Sequence, residues 1–435
     1  MENVRVRQRT AGPVIVVAAA LPLILSSCTS RTESKSAQQA PPPPPTLTVT
    51  PAADARDVPL SAEVGLAVAG GKVTGVTLTD GKGSPVDGAM RGDGTSWIPN
   101  RPLDPKQAYS VQVTAANDTG QTSTWSSAFT TMAKPTKLQQ STLYFQNNMT
   151  YGVAMPVTVS FDPGIPKESR ADVQKRLFVT TDPPQPGAWH WDESGKQVYY
   201  RAPDFWKTGT RISVRSALTG VPMGKNGYGD ADRTASATIG DHVTMEIDNA
   251  TKEMSVFKDN QLVKKIPVSM GKPSTPTSSG KMVIMEKFET TVFDTRGDPN
   301  GGYVVQVNDA QRLTWGGEFI HAAPWSVGDQ GERNVSHGCT NVSNANADWL
   351  MKNSNVGDLV TIKGTEVTLD PGNGWTAWNM TWDEYVKGSA LPVPPDLRPA
   401  GEQAANPGAP VAGAPPAGSP APTAPATPAP AGAGD

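Results

Sequence analysis

The chain has 435 residues, enough for about two to four domains of ~100–200 residues each, and its charge is nearly balanced, with 38 Lys and Arg against 41 Asp and Glu. That balance excludes function through an extended nucleic-acid surface or a polybasic membrane patch. Only two cysteines are present, Cys28 and Cys339, which excludes a disulfide framework and leaves each thiol needing its own explanation.

The N-terminus explains the first of them. Arg5, Arg7 and Arg9 precede an apolar run at 13–25, of signal-peptide length and shorter than the ~20 residues that span a bilayer. The run ends in Leu25-Ser26-Ser27-Cys28, which resembles a bacterial lipobox. The resemblance implies a signal peptide over 1–28, a lipid on Cys28 and an extracytoplasmic protein held on the outer face of the cell membrane, within the cell wall. The competing reading is an ordinary signal peptide that contains a cysteine.

Residues 29–46 are polar and end in Pro41-Pro42-Pro43-Pro44-Pro45, the composition of an extended spacer. Over 47–132 short alternating runs at 47–50, 62–68, 109–113 and 125–129, separated by turn residues, predict an immunoglobulin-like β-sandwich. Residues 134–240 predict a second, less regular β-rich domain. It has strands near 156–161 and 211–214, a short helix at 167–177, and core from Val198, Tyr199, Tyr200 and Trp206. Residues 241–363 predict a third β-rich unit with strands at 243–247, 253–258, 261–269, 281–287, 303–307 and 359–362. Asp259-Asn260 forms a hairpin turn there, and a helix is expected at 344–352. Trp375, Trp378, Trp382 and Tyr385 make 364–397 a packed Trp-rich extension. The Pro/Ala/Gly-rich 398–435 cannot bury a core and is expected to be disordered. The fold class is therefore mainly β and multidomain.

Cys339 sits in the one neighbourhood that carries chemistry. Two of the four histidines, His321 and His337, fall within 18 residues of it. An imidazole beside a thiol takes its proton, holds the thiolate as an ion pair and later protonates a leaving amine. Gly338 permits a tight turn that aims backbone N–H groups at a developing oxyanion. A buried structural thiol is the alternative. Zinc binding by His321, His337 and Cys339 lacks a fourth ligand and a CxxC or HExxH spacing, so no metal or other cofactor is expected.

The order His321, then Ser336-His337-Gly338-Cys339-Thr340-Asn341 beginning fifteen positions later, resembles the signature of the L,D-transpeptidase catalytic domain, the YkuD-type β-sandwich. The surrounding plan and the run His321-Ala322-Ala323-Pro324-Trp325 look like the mycobacterial branch. The resemblance implies that Cys339 is the acylated nucleophile and His321 the base, oriented by the carbonyl of Ala322. His337 would shape the site, and the Gly338 and Cys339 N–H groups would bind the oxyanion. Many relatives carry serine where Ala322 stands, so a hydroxyl contact to substrate or water is absent. Tyr303 matches a flap tyrosine and Phe293 an apolar flap residue. Ser336, Trp325 and Asn341 complete the expected substrate contacts, although Tyr303 and Trp325 also read as core and Asn341 as a turn residue. The implied reaction joins peptidoglycan stem peptides by 3→3 cross-links with loss of D-alanine, and carbapenem-type inhibitors would acylate the same thiol. Trimming of the donor by water, or a non-catalytic wall-binding scaffold, are the rival readings.

Overall fold

The structure, a computed structural model, describes residues 42–297 and 302–399. The signal peptide, Cys28, most of the spacer, Gly301 and nearly all of the tail lie outside the described residues. Among the described residues no helix is long and apolar enough to cross a membrane.

Three two-sheet sandwiches follow one another. The first pairs a four-stranded sheet (Thr46–Thr50, Val64–Ala69, Ser96–Pro99, Gly88–Met90) with a three-stranded one (Lys72–Asp80, Ala108–Ala116, Thr122–Thr130). Along Ala108–Ala116 the residues Tyr109, Val111, Val113 and Ala115 are buried while Ser110 and Gln112 between them are exposed. This period of two is the mark of a strand with one face on a core. The second sandwich has sheets of five and four strands. It is more regular than the sequence suggests, because short strands such as Ala188–Trp191 are buried throughout most of their length and show no alternation. The helix expected at 167–177 is instead a 3₁₀ turn, Lys167–Ser169, running into Arg170–Gln174. Leu177 already opens the next strand.

The third sandwich carries the cysteine. Its six-stranded sheet runs Gln261–Pro267, Glu253–Lys258, Val243–Asp248, Leu359–Lys363, Ser278–Val283, Val367–Thr368. Its four-stranded sheet runs Glu286–Asp294, Val304–Arg312, Phe319–Ala322, Thr340–Val342. Asp259 and Asn260 both have positive φ, 51° and 63°, the conformation of a two-residue hairpin whose twist matches its strands. The single strand expected at 281–287 is two strands, broken at Ile284-Met285, where the chain leaves one sheet for the other. The helix Asn344–Asn353 starts on Ser343, whose side chain caps Asn346 N–H, and buries Ala347 and Leu350.

The Trp-rich extension clamps the second sandwich rather than trailing away. Arg201, 2% exposed, lies 4.2 Å from the Trp378 ring centre and 4.3 Å from that of Tyr385. Its Nε donates to Ala377 O at 3.0 Å. Trp378 Nε1 donates to Ala154 O at 2.6 Å, and Tyr385 Oη donates to Tyr199 O at 2.7 Å. The core of the second sandwich therefore runs on through Trp375 and Trp378 to Val283, Met285 and Leu359 of the third. His190 stacks on Tyr385 in the same clamp and His242 meets Phe205 edge-on.

Candidate active site

Phe319–Ala322 and Thr340–Val342 lie side by side in parallel, with Ile320 opposite Thr340, His321 opposite Asn341 and Ala322 opposite Val342. Alternation then sorts the side chains. Ile320, Ala322 and Val342 join the sandwich core, while His321 and Asn341 face a cavity of about 330 Å³. His337 and Cys339, on the bend that leads into the second strand, line the same cavity with Ser336, Val335, Trp325, Phe293, Val305 and Tyr303.

Parity also corrects the expectation for Ala322. Its side chain packs in the core rather than against a substrate, so a hydroxyl there would be buried rather than presented to the cavity. Its carbonyl does what the resemblance implied, accepting a hydrogen bond from His321 Nδ1 at 2.9 Å. A carbonyl only accepts, so the imidazole proton sits on Nδ1 and Nε2 keeps its lone pair.

Burial sets the resting protonation. The largest influence on Cys339 is its removal from water, which pushes the thiol up to about 12; the nearby Glu318 adds to this, and a bond to the Phe319 backbone opposes it. Burial likewise lowers the His321 imidazole from its ordinary value, opposed by the Ala322 bond. The Cys339 Sγ lies 3.7 Å from Gly317 O, within reach of a thiol proton. Burial thus favours a neutral thiol beside a neutral imidazole. Removal from water works against the expected thiolate–imidazolium pair, because it disfavours both charges.

The cysteine loop is held by bonds to its own hydroxyl and to a second segment. Ser336 Oγ donates to Cys339 O at 2.6 Å and accepts from Gly338 N at 3.2 Å. The Ser336 hydroxyl and the Gly338 N–H, expected to face substrate and oxyanion, bond to each other within the loop. Gly338 has φ 120°, a conformation that favours glycine. Asn341 supports the loop from the other side, its Nδ2 donating to Ser326 Oγ at 3.1 Å.

Sequence reasoning missed the second segment, residues 269–277. Ser269 N–H and Asn341 N–H each bond to the other's carbonyl, at 3.1 and 2.8 Å. Ser336 N–H donates to Met270 O, and Lys272 N–H to Ser336 O, both at 3.0 Å. Thr277 Oγ1 donates to Gly338 O at 2.7 Å and accepts from Gly271 N at 2.9 Å. The segment reads as loop because Gly271, Pro273 and Pro276 hide its fixed geometry; the run of Ser and Thr was the one available signal.

Over the cavity the hairpin Glu286–Asp294/Val304–Arg312 pairs Phe293 with Val305. Phe293 meets the His321 ring edge-on at 5.2 Å. Tyr303 is tied to Thr295, and its ring lies 5.0 Å from that of His337, so it faces the site rather than the sheet core. Trp325 is 57% exposed at the mouth, 6.0 Å from the His321 ring. It is a wall of the cavity and not core.

A two-sheet domain presenting a cysteine and a histidine in one cavity, behind two β-sandwiches, matches two families. Residues 55–222 match a bacterial Ig domain, and residues 242–362 match the L,D-transpeptidase catalytic domain. The chain is 34% identical to L,D-transpeptidase 2 of Mycobacterium tuberculosis over 351 residues, covering 79% of this chain and 85% of that protein. It is 33% identical to L,D-transpeptidase 5 of the same organism over 366 residues, 82% of this chain and 79% of that one. The chain belongs to the L,D-transpeptidase family and is a transpeptidase enzyme. Among solved structures, an L,D-transpeptidase from Mycobacterium smegmatis is 31% identical with a TM-score of 0.40, covering 52% of this chain and 99% of its own.

Proposed function

We propose that Cys339 is the nucleophile of a peptidoglycan cross-linking reaction that proceeds through a thioester. The observation that carries this reading is the pairing of the His321 strand with the strand that follows Cys339, which sets both residues on one cavity, with His321 Nδ1 tied to Ala322 O so that Nε2 is the free base. The neutral resting pair calls for deprotonation in the course of attack. The thiol proton passes to His321 Nε2 as sulfur bonds to the carbonyl of the third stem residue. The imidazolium then gives that proton to the nitrogen of D-alanine as the C–N bond breaks. A side-chain amine of a second stem attacks the thioester, loses its proton to His321 and frees the thiol, leaving a 3→3 cross-link.

Because the Gly338 N–H bonds within the loop, the Cys339 N–H is the backbone donor proposed for the oxyanion. A strained cyclic amide presents the same carbonyl, so a carbapenem would acylate Cys339 and stay there. The lipobox at Cys28 and the proline-rich spacer support a lipid-anchored enzyme on the outer face of the membrane, within reach of the wall.

Incubation of residues 42–399 with a disaccharide-tetrapeptide, followed by mass spectrometry, tests the reading. A cross-linked dimer with loss of D-alanine is expected from the wild type and none from Cys339→Ala. Tripeptide alone would mark a carboxypeptidase. No change would mark a scaffold.

A further inference from the structure

The cavity has a cation behind its wall that none of the steps above employs. Lys272 Nζ lies 3.1 Å from His337 Nε2. An ammonium has only donors, so Nε2 accepts and the ring's proton rests on Nδ1. The pair is not accidental in its placement. Lys272 is anchored by its own N–H to Ser336 O, and the turn around it is closed by Thr275 N–H to Lys272 O at 2.8 Å and by Thr275 Oγ1 to Ser336 O at 3.2 Å. Gly271, just before it, leaves no room for a side chain, since a Cβ there would meet Thr275 O at 2.2 Å. The lysine is thus mounted on the brace of the cysteine loop, half-buried, beside a ring that lines the cavity and is covered by Tyr303.

Its surroundings select an anion. Among the described residues that line the cavity none is acidic, and Arg296 on the flap is already paired with Asp294. His337 precedes Cys339 by two residues across the bend at Gly338, whose φ is 120°, so the ring that Lys272 touches belongs to the nucleophile's own loop and lines the same cavity. A donor stem carries a carboxylate close to the attacked carbonyl, because the leaving residue's carboxylate follows the scissile nitrogen by one Cα, roughly 4 Å from the scissile carbonyl carbon by bond lengths.

We propose that Lys272 is the specificity residue that reads the free carboxylate of the leaving D-amino acid, with His337 as the hinge against which its ammonium is held until substrate arrives. The assignment rests on the cross-linking reading above. It makes the enzyme selective for a stem that ends in a free acid over the same stem ending in an amide.

The test compares a disaccharide-tetrapeptide with its C-terminal D-alaninamide analogue as donors, measuring kcat/KM for loss of the terminal residue. A charge-assisted hydrogen bond predicts that the wild type favours the acid by about tenfold to a hundredfold. Lys272→Met should bring that ratio toward one, and Lys272→Arg should keep most of it. The ratio is taken within each protein, so a fall in folded fraction cancels. A wild-type ratio near one, or an unchanged ratio in Lys272→Met, would overturn the assignment while leaving the cross-linking reading intact. Release of the terminal residue from neither donor by the wild type would overturn the cross-linking reading and this assignment with it.

Discussion

Replacing Thr277 by valine isolates the brace beneath the cysteine loop. The exchange keeps the shape of a side chain that is 1% exposed and removes its hydroxyl. Two backbone groups then lose their partner, Gly338 O at 2.7 Å and Gly271 N–H at 2.9 Å. Each buried group left without a hydrogen bond costs about 1–3 kcal/mol. Some of that is recovered where the loop relaxes toward water, so a net loss of about 2–4 kcal/mol is expected. The loop that relaxes is the one that aims Cys339, so the acylation rate should fall together with stability. Urea unfolding of residues 42–399, followed by tryptophan fluorescence, gives the first quantity. The rate of covalent labelling by a carbapenem, read by intact mass, gives the second. Thr277→Ser retains the hydroxyl and should stay within about 1 kcal/mol of wild type. If Thr277→Val is as stable as wild type within about 0.5 kcal/mol and labels at the same rate, the brace does not hold the loop.

Other perturbations separate the remaining parts of the account. Because burial lowers His321 below its ordinary 6.5, the unfolded chain binds a proton there before the folded one does. Stability should fall as pH drops from 6.5 through the folded value, and His321→Gln should flatten that arm of a pH–stability curve. Acylation should likewise rise with pH below 6.5 and be level from 7 to 9, since the thiol itself titrates only near 12; a rise centred near 8 would point to a free thiolate instead. Asp358 is buried with Oδ1 unpartnered and is pushed up to about 7, mainly by that burial. Its neutral form is the one the fold accommodates, so stability it contributes is full below 3.8 and lost through 7. Asp358→Asn should therefore gain on wild type as pH rises from 4 to 8, measured by urea unfolding, and a constant difference would contradict this. Arg201→Ala removes the cation at the centre of the tryptophan clamp and its bond to Ala377 O. A cost of about 3 kcal/mol or more is expected, with trypsin or chymotrypsin cutting first within 364–399.

What the sequence made legible followed from burial on one face. Ala108–Ala116, Val243–Asp248 and Glu253–Lys258 alternate because each covers a core on one side, and all three were anticipated to within a few residues. The flap strand Glu286–Asp294 was missed. Along it most residues are exposed or half-exposed, so no apolar stripe marks it. The reactive residues were legible because His321, His337 and Cys339 are rare and closely spaced. Their supports were not. Thr277, Ser269 and Lys272 act through single hydroxyls, backbone groups and one ammonium brought from over sixty residues away, and only the fold brings them under the loop. Parity was the overlooked signal for Ala322. A strand that turns His321 to the cavity must turn its neighbour to the core.

The central claim is that Cys339 carries the acyl group. Intact-mass analysis of residues 42–399 quenched in acid during turnover of a disaccharide-tetrapeptide tests it most directly. An adduct equal to the donor minus D-alanine is expected on the peptide containing Cys339, absent in Cys339→Ala and slow to form in His321→Gln. Cross-linking by Cys339→Ala, or an adduct on any other residue, would contradict it.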